Sequence, residues 1–146
     1  MPTIYSYQKY IDNFTTRYIK LPESLELHGQ IGTELAVLNG LTYVCLPDGY
    51  TLPVDQPVEI ASSIVAVKLT PELSAAIAAA SPHVALIRTR VKDKIAEKYT
   101  LTDEVGMLRG KAQAPSATNS TFDKYNTFVE LVRAWGEAEK AKLGLG

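Results

Sequence analysis

The chain has little of what secreted, metal-binding and membrane proteins are rich in. Cys45 is the only cysteine among 146 residues, which excludes an internal disulfide framework and a cysteine-rich zinc site. No apolar run reaches the roughly 18 residues of a membrane span, and the first residues lack the basic-then-apolar order of a secretory signal. We therefore expect a protein that is made in a reducing cytoplasm and is kept there or packed into something assembled there, with no membrane as partner.

A strong charge of either sign is also missing. The formal charge of −1 at pH 7 gives no general reason to expect a nucleic acid or an anionic membrane as partner. The distribution is uneven, because residues 1 to 80 hold 4 Lys/Arg against 8 Asp/Glu, whereas residues 81 to 146 hold 11 against 8. A negative first half and a positive second half suit head-to-tail contact between copies.

Aromatic residues and turn signals dominate the first part of the chain. Five of the first eighteen residues are aromatic, which is typical of a β-rich segment or a contact surface. Asn39-Gly40 joins ELAVL to LTYVCL and predicts a β-hairpin with a type I′ turn over residues 34 to 46. Prolines keep residues 47 to 58 extended and out of a sheet interior. Residues 1 to 58 are therefore predicted to be a β-rich, aromatic docking region.

Residues 59 to 146 predict one strand followed by helices. SIVAVKL, residues 63 to 69, has the β-branched content of a strand. Thr70-Pro71 and Ser81-Pro82 are each typical of a helix start. Further helices are predicted to begin at capping signals in residues 100 to 103 and 120 to 123, and the first of these to end at Gly110 and the polar run AQAPSATNS, residues 112 to 120. The fold class is α+β, with an N-terminal β-hairpin region followed by a C-terminal bundle of three to four helices.

The last predicted helix has an unusually wide apolar arc. At 100° per residue the arc covers about half the circumference, more than one packing neighbour needs. Core packing accounts for most of such an arc, while tryptophan and phenylalanine are also frequent interface anchors. With the N-terminal aromatic residues, this helix yields the predicted protein-interface set: Tyr5, Tyr7, Tyr10, Phe128, Val132 and Trp135.

Catalytic, cofactor and metal signals are weak throughout. The segment GMLRGKAQ, residues 106 to 113, has the wrong spacing for a phosphate loop and lacks its Ser/Thr. His28, His83 and Cys45 have no partner pattern that indicates catalysis, so we interpret them as structural or surface residues. The basic residues between 88 and 98 flank an apolar helix face, which favours solvated flanks over nucleic-acid binding. We predict no enzyme activity, no cofactor and no metal.

The C-terminal half resembles a known class of protein. The segments IAEKYTLTDEVGMLR and YNTFVELVRAW, together with the Lys/Gly-rich terminus, are similar to small tail-region proteins of tailed bacteriophages. The resemblance covers about residues 60 to 146, with LNGLTYVCLPDG as a weaker extension, and residues 1 to 33 have no counterpart. It implies a virion or fibre-associated protein and carries no catalytic residues.

Our main hypothesis from the sequence is a non-enzymatic structural protein of the phage tail, baseplate or tail-fibre attachment region. It would be made in the host cytoplasm, reside in the virion, and work as a homo-oligomer bound to other tail or fibre proteins. The first alternative is a tail-fibre assembly chaperone that is absent from the mature virion. A second is a host-directed binding module, such as a nucleic-acid binder that uses residues 88 to 98.

Overall fold

A computed structural model describes residues 1–113 and 120–146 of the chain. The described residues form six strands and five helices, which confirms the predicted α+β class with β-strands first and helices after them. In chain order they are β1 (Thr3–Tyr7), β2 (Glu23–Ser24), β3 (Gly29–Gln30), β4 (Thr33–Leu38), β5 (Leu41–Leu46), α1 (Val58–Ala61), β6 (Val65–Val67), α2 (Pro71–Ala80), α3 (Pro82–Lys98), α4 (Leu101–Gln113) and α5 (Ser120–Lys142).

The chain divides into two compact units. The first unit comprises Met1–Ala85 and Lys140–Gly146, and the second comprises Leu86–Glu139. This division differs from the predicted regions 1–58 and 59–146. Residues 59 to 85 lie in the first unit because β6 pairs with β1 and α2 packs against β4.

An antiparallel sheet with strand order β4-β5-β1-β6 forms the centre of the first unit. The predicted hairpin is confirmed: β4 and β5 meet at Asn39 and Gly40, whose φ angles of 50° and 78° are the two positive values of a type I′ turn. A register shift between Glu34 and Ala36 interrupts the pairing of β4, the strand at one edge of the sheet. Such irregularities are common at sheet edges and discourage further strand pairing there.

Both faces of the central strands are buried. In the pair of β1 with β5, Ile4 lies opposite Cys45, and both belong to a core cluster with Ile77, Val84 and Leu145. On the other face, Tyr7 and Val44 belong to a second cluster with Ile19 and Ile60. Because side chains alternate along a strand, both faces of β1 contribute residues to a core cluster, and Tyr5 remains half-buried.

The C-terminal residues complete the first core cluster. Leu145 is buried in that cluster. The preceding Gly144 has φ 75°, and a Cβ atom there would lie 3.2 Å from Cδ1 of Ile4. A left-handed residue without a side chain is therefore needed for Leu145 to reach the sheet.

Two helices begin with the predicted capping hydrogen bonds, whereas the buried Ser81 hydroxyl before α3 has no hydrogen-bond partner among the described residues. Thr70 caps α2 by accepting a hydrogen bond from the Leu73 amide at 3.1 Å. Thr100 and Asp103 form a reciprocal capping box, in which the Thr100 amide donates to the Asp103 carboxylate at 3.0 Å. Helix α4 continues through Gly110 and ends at Gln113, within the polar run 112–120 that is predicted to end it. A glycine inside a helix costs only about 1 kcal/mol, which neighbouring contacts can offset.

The second unit is built from most of α3, α4 and most of α5. The buried residues on α5 include Val129, Val132 and Gly136. A Cβ atom on Gly136 would lie 2.8 Å from Cγ2 of Val91, so α3 and α5 approach closely at this glycine. The side chain of Ser120, predicted to cap α5, lies outside the described residues.

Candidate protein-interaction surfaces

Aromatic rings of α5 pack against Tyr99, the residue that follows α3, within the second unit. The rings of Tyr99 and Tyr125 meet edge to face, with centroids 5.0 Å apart, and Phe128 lies 5.7 Å from Tyr99. Burial, aided by the charge of Glu104 and a hydrogen bond to its carboxylate, raises the pKa of Tyr125 above its ordinary value. The arc of α5 is therefore used in large part inside its own unit.

Two lysine side chains of α3 lie over aromatic rings of α5. The Lys94 ammonium lies 4.7 Å from the Trp135 ring centroid, and that of Lys98 lies 4.5 Å from Phe128. These distances are within the range of cation–π attraction. Two of the basic residues on α3 therefore cover aromatic side chains of α5, as flanking lysines do when their stems lie along an apolar face.

Helix α4 exposes its aliphatic side chains. Leu101, Val105 and Leu108 lie within about 60° of one another on the helix, and they are 76%, 46% and 51% exposed. We call these three residues the α4 stripe. The side of α4 nearest α5 is mixed in character: the Lys111 ammonium lies 5.4 Å from the Phe122 ring, Glu104 accepts a hydrogen bond from Tyr125, and Met107 on the same side is half-buried. No residue of α4 is buried, so the helix contributes little to the core of its unit.

A groove runs along α5 near the end of α3. We call it the Phe128 groove; it is lined by Lys98, Tyr99, Asp123, Lys124, Thr127, Phe128 and Leu131. Its apolar lining includes Leu131, which is 66% exposed, and its rim carries two lysines against one aspartate. The groove is thus apolar inside, with an excess of positive charge at its edge.

A structured loop projects an aromatic side chain from the first unit. We call residues 9 to 17 the Phe14 loop, after the residue near its tip, which is 97% exposed. One carboxylate oxygen of Asp12 accepts hydrogen bonds from the amides of Phe14 and Thr15, each at 2.7 Å. At the base of the loop, the Arg17 amide donates to the Lys9 carbonyl at 2.8 Å. Hydrogen bonds therefore define the loop on both sides of the exposed ring.

The base of the Phe14 loop is attached to the sheet by Lys9. This lysine is only 8% exposed, and its ammonium donates to the Glu34 carboxylate at 2.7 Å. The same ammonium lies 5.2 Å from the Tyr10 ring centroid and 5.6 Å from that of Tyr18. Desolvation lowers the pKa of Lys9, but the hydrogen bond and charge of Glu34 outweigh that effect and raise it overall. Lys9 therefore stays charged and connects the loop with β4.

The predicted interface residues of the N-terminal segment differ in accessibility. Tyr7 is 1% exposed, so its prediction as an accessible interface residue is corrected: it packs in the second core cluster, where burial raises its pKa. Tyr5 is half-buried, and Tyr10 is exposed. The most exposed aromatic residue of this segment, Phe14, is absent from the predicted set, although Asp12 two residues earlier is a sequence signal for a local turn.

The predicted interface residues on α5 lie mainly inside the second unit. Val132 is buried, which corrects its prediction as an accessible residue, and Phe128 and Trp135 are half-buried. Phe128 still lines an open groove. Among the large apolar side chains on this helix, Leu131 has a greater exposed fraction than Trp135.

Other residues that could carry chemistry have structural positions. Cys45 is buried in the first core cluster, and desolvation raises its thiol pKa to about 11. His28 has a positive φ of 50° between β2 and β3, and His83 is in the first turn of α3. The segment 106–113 is helical within α4, so its glycines do not form a phosphate loop.

In residues 1–113 and 120–146, no group of three or more His, Cys, Asp or Glu side chains is placed to hold a metal ion. Within the same ranges, no helix combines the length and the apolar character that crossing a membrane requires.

Comparison of the chain with protein-family models, curated proteins and solved structures finds no match.

Proposed function

We propose that this chain is a non-enzymatic assembly protein of the tail, baseplate or tail-fibre attachment region of a tailed bacteriophage. The α4 stripe is the observation that carries the proposal. A protein that exposes an aliphatic helix face gains stability when another protein covers that face. The resemblance of residues 60 to 146 to phage tail-region proteins supports the tail as the setting.

The occupant proposed for the α4 stripe is an amphipathic helix of a neighbouring tail or fibre protein. Leu101, Val105 and Leu108 are spaced at i, i+4 and i+7, the pattern by which one helix packs along another. The side chain of Arg109 borders Leu101 and Val105 and offers a partner for a carboxylate on the other helix. The chain would then work in several copies within the virion, after synthesis in the host cytoplasm.

A test of this surface uses a charge placed in the stripe. Val105→Glu puts a carboxylate where an apolar partner side chain would pack, and glutamate keeps a good helix propensity. We expect a loss of at least about tenfold in incorporation into phage particles, with unchanged circular dichroism. The matched control is Ala96→Glu, at an exposed position of α3.

Two results would count against the proposal. Incorporation of Val105→Glu at the level of the control would mean that the stripe has no role in assembly. A chain that is abundant in infected cells but absent from washed particles would instead favour the assembly chaperone, for which weak and reversible association with an unassembled fibre protein is expected.

A further inference from the structure

The Phe14 loop and the Phe128 groove have complementary properties, and one chain carries both. The loop presents a nearly fully exposed aromatic ring beside the carboxylate of Asp12. The groove offers aromatic and aliphatic side chains, with Lys98 and Lys124 at its rim. We propose that the Phe14 loop of one copy inserts into the Phe128 groove of a second copy. This inference rests on the proposed function and names one of its partners.

The shape of the loop suits it to insertion. Asp12 holds the amides of Phe14 and Thr15, so the conformation around the ring exists before binding. Lys9 attaches the base of the loop to Glu34 across the sheet. A preorganised loop loses less conformational entropy on binding than a flexible one, and therefore keeps more of the free energy gained by burying the ring.

The groove matches the loop in chemistry. Tyr99 and Phe128 line the groove with half-buried aromatic surface, and Leu131 offers exposed aliphatic surface beside them. The Lys98 ammonium lies 4.5 Å from the Phe128 ring centroid, so an incoming ring would contact the parts of these rings that this lysine leaves open. The two lysines outnumber Asp123 at the rim, so an incoming carboxylate is attracted overall. The pKa of Asp12 is lowered, chiefly by the hydrogen bond from the Phe14 amide, which keeps this carboxylate charged at neutral pH.

The contact joins two different surfaces, so it is heterologous. A head-to-tail contact leaves one loop and one groove free after each addition, and repetition produces a closed ring or an open filament. Either product is a suitable architecture for a multi-copy component of a tubular tail. A self-complementary contact through the same surface on both copies would stop at a dimer.

The experiment uses two variants that each remove one half of the contact. Phe14→Ala removes the inserted ring and leaves the groove, whereas Leu131→Glu blocks the groove and leaves the loop. Both positions are exposed, so circular dichroism should match the wild type. Controls are Leu25→Ala, an exposed leucine between β2 and β3, and Leu86→Glu, an exposed leucine of α3.

Sedimentation velocity over a wide concentration range measures self-association. We expect the wild type and both controls to associate, and each variant to raise the dissociation constant by about tenfold or more, as loss of an interface anchor does. An equimolar mixture of Phe14→Ala and Leu131→Glu should form a complex with one copy of each and grow no further. That complex forms because the intact loop of one variant fits the intact groove of the other.

Three results would overturn the inference. The first is that the wild type stays monomeric at every concentration. The second is that Phe14→Ala associates as strongly as its control. The third is that the mixture of the two variants stays monomeric. The proposed function is judged separately, by particle content and by Val105→Glu. A chain present in particles, with Phe14→Ala behaving like the wild type, would disprove the loop-in-groove contact alone.

Discussion

The Lys94 ammonium lies 4.7 Å from the centre of the Trp135 ring, within one helical unit. The only tryptophan of the chain is therefore half-buried beneath a lysine of its own unit. Trp135 therefore contributes mainly to the stability of the unit. Its indole fluorescence reports directly on the packing of α3 against α5.

Truncation of Trp135 should destabilise the second unit. We expect Trp135→Ala to lower the free energy of unfolding by about 3 kcal/mol, because it removes a large, partly buried ring. Lys94→Gln should cost only about 0.5–1 kcal/mol, the size of an exposed cation–π contact, and should shift the indole emission. Urea denaturation measures both, with Lys92→Gln as the exposed control. A Trp135→Ala variant as stable as the wild type would show that the ring packs against nothing.

The close approach at Gly136 predicts that the effects of substituting Gly136 and Val91 on stability are coupled. Gly136→Ala adds a methyl group 2.8 Å from Cγ2 of Val91, a β-branched side chain with little rotamer freedom in a helix. The clash should outweigh the helix-propensity gain of about 1 kcal/mol and leave the variant less stable.

Val91→Ala in the same chain should remove that clash. We expect the double variant to be more stable than the sum of the two single effects predicts, by about 1 kcal/mol or more, in a double-mutant cycle. Additive effects would mean that α3 and α5 do not meet at this point.

The capping box of α4 predicts that the folded state loses stability at acidic pH. The hydrogen bond from the Thr100 amide lowers the pKa of Asp103 below its ordinary value of 3.8. A depressed carboxyl pKa stabilises the folded state above the unfolded pKa, and this contribution is lost as pH falls through the folded pKa. The contribution from Asp103 is therefore complete at pH 7 and disappears only below about pH 4.

The pKa of Asp103 can be measured directly. NMR titration of its carboxyl group should give a midpoint below 3.8 in the wild type, and a higher one in Thr100→Ala, which removes the reciprocal side-chain bond. Equal midpoints in the two proteins would show that the box does not form in solution.

Cys45 should be nearly inert in the folded protein. Its thiol is buried and its pKa is raised to about 11, so about one thiol in a thousand would be ionised at pH 8. We expect labelling by a thiol reagent only as fast as the first unit opens. Leu145→Ala should accelerate it, because Leu145 packs in the same core cluster. Rapid labelling of the native wild type would contradict this placement, and complete labelling in denaturant is the control.

The sequence predicts the local structure of this chain well where one signal is sufficient. Asn39-Gly40 predicts the hairpin because few residue pairs adopt two positive φ angles, and Thr70 and Thr100 begin helices because their hydroxyls accept the first free amides. These signals depend on neighbours in the chain, so tertiary contacts did not alter them.

The sequence predicts the interaction surfaces less well because burial depends on distant segments. Tyr7 has the residue type of an interface anchor, but Ile19 and Ile60 cover the face of the sheet on which it lies. The stripe of α4 has a normal amphipathic period, and only the structure shows that its aliphatic side is exposed. Phe14 was missed because the Asp12 turn that presents it resembles an ordinary loop in sequence.

Quantitative mass spectrometry of purified, washed phage particles is the decisive measurement for the proposed structural role. A structural component should be present in a fixed ratio to the major tail protein. We expect a constant ratio that survives repeated washing and falls sharply for Val105→Glu. Absence of the chain from the particles, with abundance in the infected lysate, would contradict a structural role.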